Sequence, residues 1–252
     1  MKVQSITILV FLKFIFWAIN PFSGIAQTPY SITSNKSSMI FKGDSTFKNL
    51  PKKVFKIQPV YSNPVQSKTI KPITYTVKQV YTERLGEGFH LCTLDSIEDD
   101  TIASFNIYND IDIIQIINKT HKGFIGYLEE LLNVPFVLPP KKLLGEAHQT
   151  DLRLGVDCAE LAIYGKRRQG YKIPYCGPRG IKKYLKPTSK LTKGTIIHFG
   201  FQVSVLYEDK GQIGHLDNND LLIHAYKDKA EIKKLGNTDL KKRSYQLYQW
   251  KE

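Results

Sequence analysis

Apolar and polar residues change their spacing several times along the chain. An apolar run from Ile6 to Ile19 follows Met1-Lys2 and precedes Pro21 and Ser23-Gly24-Ile25-Ala26-Gln27. Charged start, apolar middle and small-residue exit are the order of a secretory signal cut after Ala26. The run is shorter than the ~20 residues a bilayer requires, and Lys13 interrupts it. Residues 27–70 are rich in Ser, Thr, Asn, Pro and Lys without sustained periodicity, which predicts a flexible leader. "ITYTVKQVY" (73–81) then alternates as a strand does, and "GFHLCTL" (88–94) is placed to pair with it after the "RLGEG" turn. These strands define a small β-rich segment over 71–110. Ile113, Ile114, Ile117, Ile125, Leu128, Leu131 and Leu132 recur at roughly helical spacing, which predicts a helix capped by Asn109 or Asp110 and broken at Gly123. "NVPFVLPP" (133–140) ends it.

Downstream the pattern sharpens. "DCAELAIYGKRRQG" predicts a helix with Asp157 as N-cap and Gly170 as its stop, Leu161, Ala162 and Tyr164 inward, and Lys166, Arg167 and Arg168 in the last turn. "YKIPYCGPRGIKKYL" reads as a connection with a short helix. "KGTIIHFGFQVSVLYEDKG" reads as two strands or one bent at Gly200, and "NDLLIHAY" and "KAEIKKL" as further strands. Helix followed by antiparallel strands is an α+β pattern, and residues 111–252 are enough to bury one core.

Charge changes the picture little. The chain has 36 Lys and Arg against 23 Asp and Glu, a formal net charge of +13. The lysines are scattered in pairs rather than gathered in a stripe, which argues against nucleic acid and for a solvated surface attracted to polyanions. Cysteine changes it more. Cys92, Cys158 and Cys176 are odd in number. A Cys92–Cys176 bridge would leave Cys158 as the free thiol.

Cys158 follows an N-cap, so it stands at the positive end of a helix where free backbone N–H groups favour thiolate and can hold an oxyanion. The reading that competes is a small buried core residue. The segments "LNVPFVLPP", "DCAEL", "KGTIIHF", "FQVSVLY" and "LIHA" follow one another in the order and approximate spacing of the NlpC-type papain-like cysteine peptidases, which cut peptidoglycan stem peptides. The chain resembles that family over roughly its last half. The resemblance implies a papain-like fold, helices on an antiparallel sheet, with Cys158 as nucleophile. It also implies a histidine base at Gln202 and an orienting residue at His224. Gln cannot accept a proton at neutral pH, so this sequence departs from the family at the base.

The base must then be sought elsewhere. His198 lies four residues before Gln202; His224 could reach inward directly; His148, with Asp151 to orient it, precedes the cysteine by ten. On strand alternation Gln202, Ser204 and Leu206 share one face, and Val203, Val205 and Tyr207 the other. Arg153, Arg179 and Tyr175 are candidates for a wall meeting the carboxylates of an acidic peptide. His215, Asp217, Asp220 and His224 lack a recognised metal-ligand spacing, so no metal and no cofactor are expected. The sequence thus predicts an exported protein, periplasmic or extracellular, that touches membrane only through its signal segment. It acts on peptidoglycan stem peptides or another acidic peptide through Cys158, with His224 or His198 as base and Gln202 donating a hydrogen bond. The alternative is a degenerate domain of the same kind that binds such peptides, or a protein, without hydrolysis.

Overall fold

The structure is a computed structural model that describes residues 37–43, 45–60, 65–66, 74–94, 101–102, 113–140, 142 and 148–252. The expected signal segment, the caps at Asn109 and Asp110, and residues 143–147 of the loop before the cysteine lie outside them. In chain order the elements are β1 (Ser37–Phe41), α1 (Ser45–Lys48), β2 (Lys53–Val60), β3 (Val65–Gln66), β4 (Thr74–Tyr81), β5 (Gly88–Thr93), β6 (Thr101–Ile102), β7 (Ile113–Asn118), α2 (Gly123–Glu129) and β8 (Val137–Leu138). There follow α3 (Cys158–Arg168), α4 (Pro178–Ile181), β9 (Leu185–Pro187), β10 (Ile196–His198), β11 (Val203–Glu208), β12 (Leu221–Tyr226), β13 (Lys229–Lys234) and β14 (Gln246–Trp250). The molecule is α+β: few helices and two antiparallel-rich sheets, ordered β1-β7-β5-β2-β4-β6 and β13-β12-β11-β10-β14-β9.

Four expectations do not hold. Residues 37–60, read as part of a tether, carry β1, α1 and β2. β2 pairs antiparallel with β4 over its full length and with β5 on its other side. It therefore separates the two strands expected to form a hairpin, and β5 pairs with β7 instead. The segment "IIQIIN" is strand β7, not the start of a helix. Its isoleucines are buried on both faces, Ile114 and Ile116 in one cluster and Ile117 in another. A strand buried on both sides loses its alternation, and β-branched residues prefer the extended backbone. The helix begins only at α2, whose first residue is Gly123 at φ +61°. Finally, Cys92, Cys158 and Cys176 are all free thiols. Cys92 is buried in the first sheet's core among Val54, Ile114 and Ile116.

The second sheet positions the cysteine. On one face Val203, Val205 and Tyr207 of β11, with Ile223 and Ala225 of β12, pack with α3 and with Phe89 and Ile117 of the first sheet. On the other face Leu206 and Leu222 join Ile197, Leu235 and Leu240. The alternation along β11 is thus as expected, and the Val203 side of the strand is the one that meets α3.

Candidate functional site

Asp157 is the N-cap of α3. Its carboxylate accepts from the N–H of Ala159 at 2.9 Å and of Glu160 at 2.7 Å. The cap thus takes amides of the first turn, while the Cys158 N–H, expected to help hold an oxyanion, is not among those it takes. Cys158 is 4% exposed and packs in the main core. Burial pushes its thiol well above the ordinary value, and the neighbouring Asp157 carboxylate pushes it further. Backbone N–H groups of Val203, Ala159 and Cys158 itself pull back only part of the way. The balance is one of magnitudes. A helix N-terminus stabilises a negative charge by at most about 2 kcal/mol, whereas taking an ion out of water costs several. The expected helix-activated thiolate is therefore corrected to a buried neutral thiol.

None of the expected partners hydrogen-bonds to the sulfur. His198 ends β10 opposite Val203, not opposite Gln202. Its Nε2 faces the Pro178 carbonyl at 2.7 Å and its Nδ1 accepts from Gly200 N–H at 3.0 Å, so both ring nitrogens are engaged. Burial holds its pKa below the ordinary value despite the Pro178 contact. His224 lies between Ile223 and Ala225, which face α3, so strand alternation turns its ring to the opposite face. Neither of its nitrogens has a hydrogen-bond partner among the described residues, and Glu231 Oε1 stands 3.8 Å from Nε2. Burial lowers its pKa to about 4. Gln202 donates through Nε2 to Ala225 O at 3.1 Å and to Val203 O at 3.3 Å. Its amide fills the gap between β11 and β12.

His148 belongs to a separate network under the first turns of α3. It accepts through Nδ1 from Thr150 N–H at 3.3 Å, stacks on Tyr175 at 4.3 Å, and lies 3.6 Å from Glu160 Oε2. Tyr175 O–H donates to Asp151 at 2.6 Å, and Arg167 donates to the same carboxylate at 3.2 Å. Asp151 therefore orients Tyr175 and Arg167 rather than His148. Thr150 Oγ1 stands 3.1 Å from Gly155 O and 2.6 Å from Glu160 Oε2. A hydroxyl has one proton. It donates to Glu160 Oε2 or to Gly155 O, not to both. Burial first, and then the Asp157 charge, raise Glu160 to about 9, against the pull of the Thr150 hydroxyl.

The expected substrate wall separates. Arg153 is buried, holds φ +59°, and donates to Glu130 at 3.1 Å, so it is unavailable to a peptide carboxylate. Tyr175 is half-buried in the Asp151 network, and Arg179 is exposed at the start of α4. The loop acids Asp217 and Asp220 are spent on loop amides, from Gln212, Asn219, Lys210 and Asp217, and His215 is exposed.

Two buried carboxylates escaped the sequence reading. Glu130 accepts from Lys119, Arg153 and Arg168 and from Tyr164 O–H at 2.7 Å. Glu129 accepts from Thr120, His121 and Tyr207. Burial alone would raise both; these donors outweigh it and hold both below the usual carboxylate range. The sequence did contain a signal: "YLEELL" sets two acids inside an apolar run. Comparison with family models, curated proteins and solved structures finds no match.

Proposed function

We propose that the chain is an exported, catalytically silent relative of the NlpC-type papain-like peptidases, which holds a wall-derived or other acidic peptide, or a protein, without cutting it. What supports this reading is the setting of Cys158: 4% exposed in the main core, where burial pushes its thiol up, with His148, His198 and Gln202 engaged by other groups and His224 on the far face of the sheet. The packing of a cysteine-led helix on an antiparallel sheet agrees with the papain-like arrangement that the sequence motifs suggest. A hydrolase would need an ionisable thiol and a base in reach of it. Here Val203 and Ala225 present apolar side chains on the helix side of β11 and β12.

The test is to titrate the protein with a purified stem peptide by calorimetry and to follow the same peptide by chromatography. Saturable binding with no cleavage, unchanged in Cys158→Ala, is expected. Cleavage that disappears in Cys158→Ala would restore the peptidase reading, and absence of binding would remove the peptide as ligand.

A further inference from the structure

The face of the second sheet turned away from α3 carries a surface that the cysteine side does not explain. Residues 235–242 cross it as two 3₁₀ turns, Leu235–Asn237 and Asp239–Lys242. Leu235 and Leu240 anchor them in the smaller core, under Ile197, Leu206 and Leu222. The turns enclose an open cavity of about 620 Å³, lined by Gly236, Asn237, Thr238, Asp239, Lys241 and Lys242. The carboxylate in that lining, Asp239, is taken by Lys227 at 2.6 Å. Lys241 donates to Gly236 O at 3.1 Å. Lys242 and Arg243 are exposed, so the rim has a net positive charge.

Beside the cavity two aromatic faces stand in solvent. Phe201 and Tyr245 are each 46% exposed. Phe201 is held at the tip of the β10–β11 turn, next to Gly200 at φ +86°, with the Arg243 guanidinium 4.3 Å from its ring centroid. Tyr245 leans on Phe199 at 6.2 Å, which fixes its ring while leaving one side open. Exposed flat apolar faces, exposed cations and a partly polar concavity are together what a charged sugar requires. The rings of the sugar cover the aromatic faces, the hydroxyls meet amide and backbone groups, and the acid groups meet Lys and Arg.

We propose that this reverse face binds an acidic oligosaccharide, whose rings lie against Phe201 and Tyr245 and whose carboxylate or phosphate groups face Lys242 and Arg243. A bilayer fits less well. Membrane docking needs a projecting apolar surface, and here the centre of the patch is an open concavity of mixed polar and apolar lining rimmed by Lys241 and Lys242. The site does not depend on Cys158, which lies across the sheet.

The experiment uses the mature chain and calorimetry with four probes: a short oligogalacturonate, its methyl ester, a phosphorylated maltotriose, and vesicles of phosphatidylcholine with phosphatidylglycerol. Binding of either charged sugar, with none of the methyl ester, is expected, and which of the two binds identifies the acid group. Lys242→Glu combined with Arg243→Glu should weaken it by on the order of tenfold or more. Phe201→Ala should weaken it by about fivefold. Lys48→Glu with Lys52→Glu changes net charge equally on exposed positions beside the first sheet and should leave binding intact, as should Cys158→Ala. Absence of sugar binding, equal loss in the Lys48/Lys52 control, or binding of vesicles without sugars would each overturn the proposal.

Discussion

Replacing Glu160 by glutamine should stabilise the protein, and by an amount that grows with pH. Glu160 is buried beside a second buried acid, and its pKa is raised from 4.5 to about 9. A group raised in the folded state contributes stability that is fully present below its unfolded pKa and is lost as pH rises through its folded one. At pH 7 the unfolded chain has released this proton and the folded chain must recapture it. Over the interval from 4.5 to 7 that costs on the order of 3 kcal/mol at 1.4 kcal/mol per unit. A glutamine at this position would carry no such cost. Its side-chain carbonyl can accept from Thr150 Oγ1 as the carboxyl oxygen does across the 2.6 Å contact. Urea denaturation at pH 4, 7 and 9 measures the difference. Wild type and Glu160→Gln should be about equally stable at pH 4, with the variant ahead by about 1–3 kcal/mol at pH 7 and further ahead at pH 9. A variant less stable by the same amount at every pH would show that Glu160 is ionised in the folded protein, and the reasoning would fail.

Two further substitutions probe the frame around the site. Glu130→Ala leaves Arg153 buried without its counter-charge and should cost about 3–5 kcal/mol by chemical denaturation. Because the folded pKa of Glu130 lies below the usual value, wild type should lose this contribution only as pH falls below the ordinary carboxylate range, where the variant loses nothing more. Gly126→Ala would drive a methyl into the backbone carbonyl of His121. Neither backbone can give way cheaply, so a loss of at least about 1–3 kcal/mol in thermal or urea unfolding is expected.

The parts of the fold legible in the sequence are those where one period dominates. Helix α3 is readable from its cap, its inward residues and Gly170, and its ends agree with the structure. Strands β11 and β12 are readable because alternation and β-branched residues coincide. β7 is not: "IIQIIN" is buried on both faces, and such a run satisfies helical and extended spacing alike. β9 and β14 pair with each other at the sheet's far end over only three residues. A three-residue strand such as β9 leaves no periodic trace. The cysteine's setting is half legible. Its place after an N-cap follows from "DCAEL", but how deeply the thiol is buried depends on β11 and β12, more than forty residues away in sequence. That also decides the histidines. His224 is turned to the face away from α3 by the alternation of β12, whereas His198, paired opposite Val203, stays on the α3 side and is held there by Pro178 O and Gly200 N–H.

The central claim is that Cys158 is a buried neutral thiol. Iodoacetamide labelling of the native protein across pH 6 to 10 (a range set by the free thiol value of about 8.5), resolved by peptide mass spectrometry so that Cys176 and Cys92 are read separately, tests it most directly. Half-buried Cys176 should be modified first, while Cys158 stays unmodified until the protein is unfolded. Rapid labelling of Cys158 in the folded protein, with an apparent pKa below that free value, would contradict it.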